Sequence, residues 1–180
     1  YSLRAEADIP LFQGWSSENG EIEWARRLVS KWNGVLNRNS TGAAVYYRWR
    51  TEVSPEIFNP ETPEIKQQLL VEEALIKTVS WLKKELGEDK EHWRYGQLQK
   101  SPFTHILTDA FSLPAMERSG GFGTIAATSV SFRHILDAGD WDRSVFIITP
   151  GQSGQPESPY YGSLLENWGN DEYLQLAFSR

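Results

Sequence analysis

Apolar residues recur with a helical period from Gly20 to Gly87 and lose it beyond, and this break constrains the fold more than any other feature. Ile22, Ala25, Leu28, Val29 and Trp32 share one stripe, with Glu21, Glu23, Arg26 and Arg27 largely off it. Asn33-Gly34 then stops the helix, because both residues tolerate positive φ. Ser40 is placed to cap a second helix through Ala43, Ala44, Tyr47 and Arg48. That helix ends at Ser54-Pro55, since the residue before a proline disfavours the α region. After a linker from Pro60 to Pro63, Thr62 as N-cap and Pro63 as first helical residue open the longest helix, where Glu64 suits the positive end of the dipole. Leu75, Val79, Leu82 and Leu86 keep one face of it, and Gly87 closes it.

Beyond Glu88-Asp89-Lys90, glycine and proline become frequent and β-prone runs appear at Thr124 to Phe132 and Val145 to Thr149. Gly120-Gly121-Phe122-Gly123 reads as a turn into the first run, Gly139-Asp140-Trp141-Asp142 separates the two, and Leu164 to Trp168 is a short helical piece. Before the break, Leu3 to Trp15 alternates poorly and holds Pro10 and Gly14, which predicts an extended entry segment. The expected organisation is one unit over 1–180: an extended segment at 1–19, a helical part at 20–88 and a mixed β and loop part at 89–180. The fold class is α+β, helices first and short strands with Gly/Pro-rich loops after.

Composition narrows the function classes. A length of 180 residues predicts one domain. With 18 Lys+Arg against 24 Asp+Glu, the net charge of −6 argues against nucleic acid or an anionic membrane as partner. No apolar run approaches the roughly 18 residues of a membrane span, and Tyr1 to Pro10 does not have the pattern of a signal peptide. The absence of cysteine removes disulfides, thiolate nucleophiles and cysteine-based metal sites. The 8 tryptophans suit large core anchors, and the alternative is a carbohydrate-binding module in which exposed rings stack on sugar.

The usual catalytic constellations are incomplete. His105 and Asp109 are four apart, but Pro102, Phe103 and Ile106 around them suit a packing histidine. No His-x-x-x-His or His-x-His pair exists, and Asp137, Asp140 and Asp142 lack the bidentate acid of a calcium loop, so no metal or other cofactor is expected. Gly151-Gln152-Ser153-Gly154-Gln155 has a superficial likeness to a nucleophile elbow, yet Gln155 stands where that motif needs glycine. Arg133 and Asp137, four apart on a strand or bend, are expected to pair with each other or with that loop. No catalytic residue is assigned.

Read as a string of landmarks, the second half is more specific. Trp93-Arg94-Tyr95-Gly96 is followed by Phe103-Thr104-His105, Gly120-Gly121 and Ser131-Phe132-Arg133-His134-Ile135-Leu136-Asp137. Pro150-Gly151-Gln152-Ser153-Gly154-Gln155-Pro156, Ser158-Pro159-Tyr160-Tyr161 and then Trp168, Gly169, Tyr173 and Phe178 close the series. In this order the set resembles the C-terminal part of the β-chain of penicillin amidases, a family that includes penicillin, cephalosporin and acyl-homoserine-lactone acylases. Upstream, Leu28-Val29-Ser30-Lys31-Trp32-Asn33-Gly34 and Ser40-Thr41-Gly42-Ala43-Ala44-Val45-Tyr46 are similar to the family's helix pair. The chain departs from the pattern at Gln99 and Tyr160, where histidine is usual, at Asn33, where aspartate is common, and at Gly162-Ser163-Leu164.

The resemblance implies an N-terminal-nucleophile hydrolase of αββα architecture, whose precursor cleaves itself to expose a serine. A serine hydroxyl needs a base, and a free α-amino group with a pKa of about 7.7–8.0 supplies one on its own residue. Backbone N–H groups and an asparagine then hold the oxyanion. The family places these groups upstream of the segment matched here, so the resemblance implies a chain without its own nucleophile; the alternative within it is a non-catalytic homologue that only scaffolds partners. Its partners would be the upstream α-chain and the N-terminal part of the β-chain of the same precursor, with a small acyl amide as substrate. By the same resemblance the location is periplasmic or secreted. If one loop reaches the acyl pocket, Gly151, Gln152, Ser153 and Gly154 are the residues expected to line it, because glycine allows close backbone approach; the alternative is a tight turn packing under the strands.

Overall fold

Side-chain oxygens start the helices of the first half. In a computed structural model, which describes residues 2–121, 124 and 130–179, Asn19 accepts from the N–H groups of Glu21 and Ile22 to open α2 (Gly20–Ser30). Ser40 likewise accepts from Ala43 N–H to open α3 (Thr41–Glu52). The longest helix, α4 (Glu64–Leu86), begins one residue later than the sequence predicts. Pro63 is its N-cap, and the Thr62 hydroxyl donates instead to the Glu56 carbonyl at 2.7 Å, closing the turn at Pro55–Phe58. Gly87, at φ +91°, ends α4 in a conformation that a side chain would resist.

The extended entry predicted for 1–19 is helical at its start. Residues Leu3–Asp8 form α1, which Ser2 caps, and Ile9–Phe12 continue as a 3₁₀ turn with Pro10 near its start, where a missing N–H costs nothing. Six residues are too few to show a period, so the sequence pattern missed α1. Ala5 and Phe12 are fully buried, and Asp8 accepts from the Tyr46 hydroxyl at 2.8 Å.

The chain forms two compact units where its length predicts one. The first comprises Tyr1–Gln99 with Ser119–Ala127 and the second Lys100–Arg118 with Thr128–Arg180. In the first unit, α2, α3 and α4 bury Val29, Trp49, Leu75, Val79 and Leu82 around Phe12, whose ring meets Trp49 edge-on with centroids 4.6 Å apart. Fully burying a side chain of this kind contributes about 1.5–3 kcal/mol, so this cluster dominates the unit's stability. A short α5 (Tyr95–Leu98) follows. The Tyr95 hydroxyl donates to the Gly120 carbonyl at 2.7 Å, and Gly120 N–H donates to Leu36 at 2.7 Å, which ties the returning segment in place.

The second unit holds two small antiparallel sheets. In one, β1 (Lys100–Phe103) pairs with β2 (Leu113–Glu117), setting Lys100 opposite Glu117 and Ser101 opposite Met116. In the other, β3 (Arg133–Ile135), β4 (Val145–Ile147) and β5 (Leu174–Gln175) lie in that order, with Arg133 opposite Ile147 and Phe146 opposite Leu174. Ile147, Leu164 and Trp168 form the core, Trp168 coming from α6 (Leu165–Gly169). The class is α+β. The run predicted at Thr124 to Phe132 lies mostly outside the described residues, as do Phe122 and Gly123 of the predicted turn. Its described end, Val130 to Phe132, precedes β3 rather than forming it.

Candidate functional site

The loop Gly151–Gly154 leaves β4 through Ile148, Thr149 and Pro150 and folds back on the turn that follows it. Gln152 and Ser153 donate their backbone N–H groups to the Tyr160 carbonyl at 2.9 and 3.3 Å, and Leu164 N–H donates to Pro150 at 3.1 Å. The loop runs so close to that turn that a Cβ on Gly151 would lie 2.1 Å from the Tyr160 oxygen and 2.6 Å from that of Tyr161. Gly151 is thus required by packing against backbone. Gly154 differs, with open space around it. Gln152 is exposed, and the Ser153 hydroxyl accepts from Gln155 N–H at 3.1 Å, a local turn contact.

A cleft of about 470 Å³ opens beside the root of this loop, within the second unit. Phe103, Pro150 and Trp168 give it apolar walls, and Lys100, Ser101 and Thr149 add polar groups. Phe103 meets Trp168 edge-on at 5.3 Å, so both rings hold fixed positions. Gly151 to Gly154 do not line this cleft.

Neither expected pairing of Arg133 and Asp137 forms. Arg133 turns to Asp171 and also donates to the Trp168 carbonyl at 2.7 Å, whereas Asp137 accepts from the backbone of Gly139 and Asp140 at 3.0 and 3.1 Å. Asp171 also accepts from Arg118, a residue with 0% exposure whose other terminal nitrogen donates to the Trp168 and Gly169 carbonyls, both at 2.8 Å. Both guanidinium carbons lie over the Trp168 ring, at 4.3 Å for Arg118 and 4.9 Å for Arg133. Burial pushes the Asp171 carboxyl up, but the hydrogen bonds from Arg118 and Arg133 outweigh it and hold the group below its ordinary range. This assembly fixes α6 and with it the Trp168 wall of the cleft. Sequence reasoning singled out Trp168 and Arg133 but missed Arg118 and Asp171, which no local motif marks.

The described residues contain no assembled nucleophile and base. His105 stands edge-on to Phe111 at 5.4 Å, and its Nδ1 accepts from Leu107 N–H, with Asp109 on a separate 3₁₀ turn. His134 lies against Phe132, and His92 is exposed beside Asp89. Among the described residues no histidine side chain bonds a serine or threonine hydroxyl, and no three acidic or histidine groups gather to hold a metal. Seven tryptophans are buried or half-buried and Trp141 alone is exposed, in contact with Phe178 at 5.6 Å. No helix among the described residues is long and apolar enough to cross a membrane.

A family model described as penicillin amidase matches residues 1–180. The chain belongs to the penicillin amidase family. Among curated relatives, an acyl-homoserine lactone acylase (QuiP) of Pseudomonas putida is 30% identical over 112 residues, covering 53% of this chain and 14% of the relative. Its counterpart from Pseudomonas syringae pv. tomato is 27% identical over 114 residues, with the same two shares of 53% and 14%. A penicillin acylase 2 proenzyme from a Pseudomonas species is 23% identical over 178 residues, 99% of this chain and 18% of the relative. The chain thus spans less than a fifth of the length of these amidase relatives.

Proposed function

We propose that this chain is the C-terminal portion of an acylase that cleaves an acyl amide by transfer to an N-terminal serine carried elsewhere in the same protein. The observation that carries this reading is the family match over the whole chain combined with coverage of only 14–18% of the relatives. The missing nucleophile–base pair among the described residues agrees with it. So does the word proenzyme in the name of one relative, which fits a precursor that must be processed.

In this reading the chain does structural work. It completes the core around the nucleophile-bearing part, its partner being the rest of the precursor, and Gly151, Gln152, Ser153 and Gly154 form part of the acyl pocket wall. The serine's α-amino group accepts the hydroxyl proton during attack on the acyl carbonyl and returns it to the leaving amine. Neither nucleic acid nor membrane is a partner, and the acylase works in the periplasm or outside the cell.

The test is turnover of an acyl-homoserine lactone and of a penicillin, followed by release of the amine, by residues 1–180 alone and by the full protein that carries them. Hydrolysis by the full protein alone is expected. Activity of residues 1–180 alone, or an acyl adduct trapped on one of their side chains, would overturn the division of roles. An inactive full protein would overturn the acylase reading itself.

A further inference from the structure

The cleft of the second unit has a chemical bias. Among the described residues no Asp or Glu lines it, although the chain carries 24 acids against 18 Lys+Arg. Among the described residues its one charged lining residue is Lys100, which is exposed and lies opposite Glu117 in the strand register. Four hydroxyl-bearing residues, Ser101, Thr104, Ser131 and Thr149, also line it. Thr149 is only 7% exposed, and its Oγ1 has no hydrogen-bond partner among the described residues. A buried hydroxyl of this kind is uncommon, since such groups are nearly always paired. Because no hydrogen bond holds it inward, rotation about χ1 can turn it to the cleft without losing one. Phe103 and Trp168, which also line the cleft, meet edge to face.

We propose that this cleft binds a small carboxylate with an apolar body, the anion against Lys100 and the Thr149 hydroxyl, the body against Phe103 and Trp168. A neutral amide of the same shape keeps a hydrogen bond from the Lys100 ammonium but lacks the opposite charge, and binds less well. A volume of about 470 Å³ suits a ligand of one ring or a short alkyl chain rather than a polymer. The proposal concerns binding alone, so it and the acylase reading fail by different measurements.

The experiment titrates the full chain with hexanoate and benzoate, and with hexanamide, benzamide and hexylamine as controls. Calorimetry gives affinity, and the Trp168 indole N–H resonance, assigned through Trp168→Phe, reports location. The acids are expected to bind at least about tenfold more tightly than the amides, and to move that resonance, with hexylamine excluded. Lys100→Met should weaken the acids about tenfold and Lys100→Arg should retain them; Lys100 is exposed, so neither variant endangers the fold. Thr149→Val should weaken binding about fivefold while Thr149→Ser preserves it. Equal binding of acid and amide, an unmoved Trp168 signal, an unaffected Lys100→Met or no binding at all would each overturn the proposal.

Discussion

Arg118 and Asp171, 53 residues apart in sequence, meet at 2.7 Å between Nη2 and Oδ1, and Arg118 has no exposed surface. Asp171 holds this position with φ at +59°, the left-handed region that asparagine and aspartate enter more readily than other side chains. Asp171→Ala therefore removes both the partner of a buried cation and a residue suited to its backbone. Breaking a buried pair by deleting one partner costs about 3–5 kcal/mol, and the partial exposure of Asp171 places this case near 3. Asp171→Asn keeps an acceptor and the backbone preference and should cost clearly less. Urea unfolding of the two variants checks the order; equal losses would show that charge and geometry are not what Asp171 supplies.

The same carboxyl sets an acid dependence. Its folded-state pKa is lowered: burial raises it, and the Arg118 and Arg133 hydrogen bonds more than offset that. A group whose folded pKa is depressed stabilises fully above its unfolded value, about 3.9, and that contribution is lost as pH falls through the folded value. The melting temperature of the native chain should accordingly fall more steeply below pH 4 than that of Asp171→Asn. Parallel acid limbs for the two proteins would remove Asp171 from the account.

Local chemistry made the helices legible, and distance hid the rest. Ser40, Gly87 and the stripes of α2 and α4 act within a few residues, so spacing alone placed those elements. The start α1 was too short to show a period, and β1 contains Pro102, which argues against a strand except at a sheet edge, where a two-stranded sheet puts it. Spacing points Arg133 to a near neighbour, because spacing is what a sequence displays; the contact it makes, with Asp171, spans 38 residues. The cleft beside β4 was invisible for the same reason, since Lys100, Thr149 and Trp168 come from three distant segments. At Gly151 the sequence points to close approach as a means of reaching the acyl pocket, whereas the approach in the structure is to the carbonyls of Tyr160 and Tyr161.

The caps offer a test of the one-residue difference at α4. Ser40→Ala removes the acceptor for Ala43 N–H and should cost about 1 kcal/mol, with Ser40→Gly losing only a few tenths. Thr62 is no cap, so Thr62→Val should leave the backbone chemical shifts of Glu64 and Ile65 helical while loosening the Pro55–Phe58 turn through loss of the bond to Glu56. Fraying of α4 in Thr62→Val would return Thr62 to the capping role.

Gly151 and Gly154 separate close packing from mere presence in a loop. Alanine at Gly151 would press its Cβ to within 2.1 Å of a backbone oxygen, which cannot swing aside as a side chain can. The turn holding Tyr160 must move, at a cost of about 1–3 kcal/mol. Its displacement would also break the bonds from Gln152 and Ser153 to the Tyr160 carbonyl. Alanine at Gly154 meets nothing within 4 Å and no positive φ opposes it, so it should be neutral or stabilise by several tenths of a kcal/mol by reducing unfolded-state freedom. Hydrogen exchange at the Gln152 and Ser153 amides distinguishes the two. Protection should collapse in Gly151→Ala and persist in Gly154→Ala, and persistence in both would mean that the turn yields without loss.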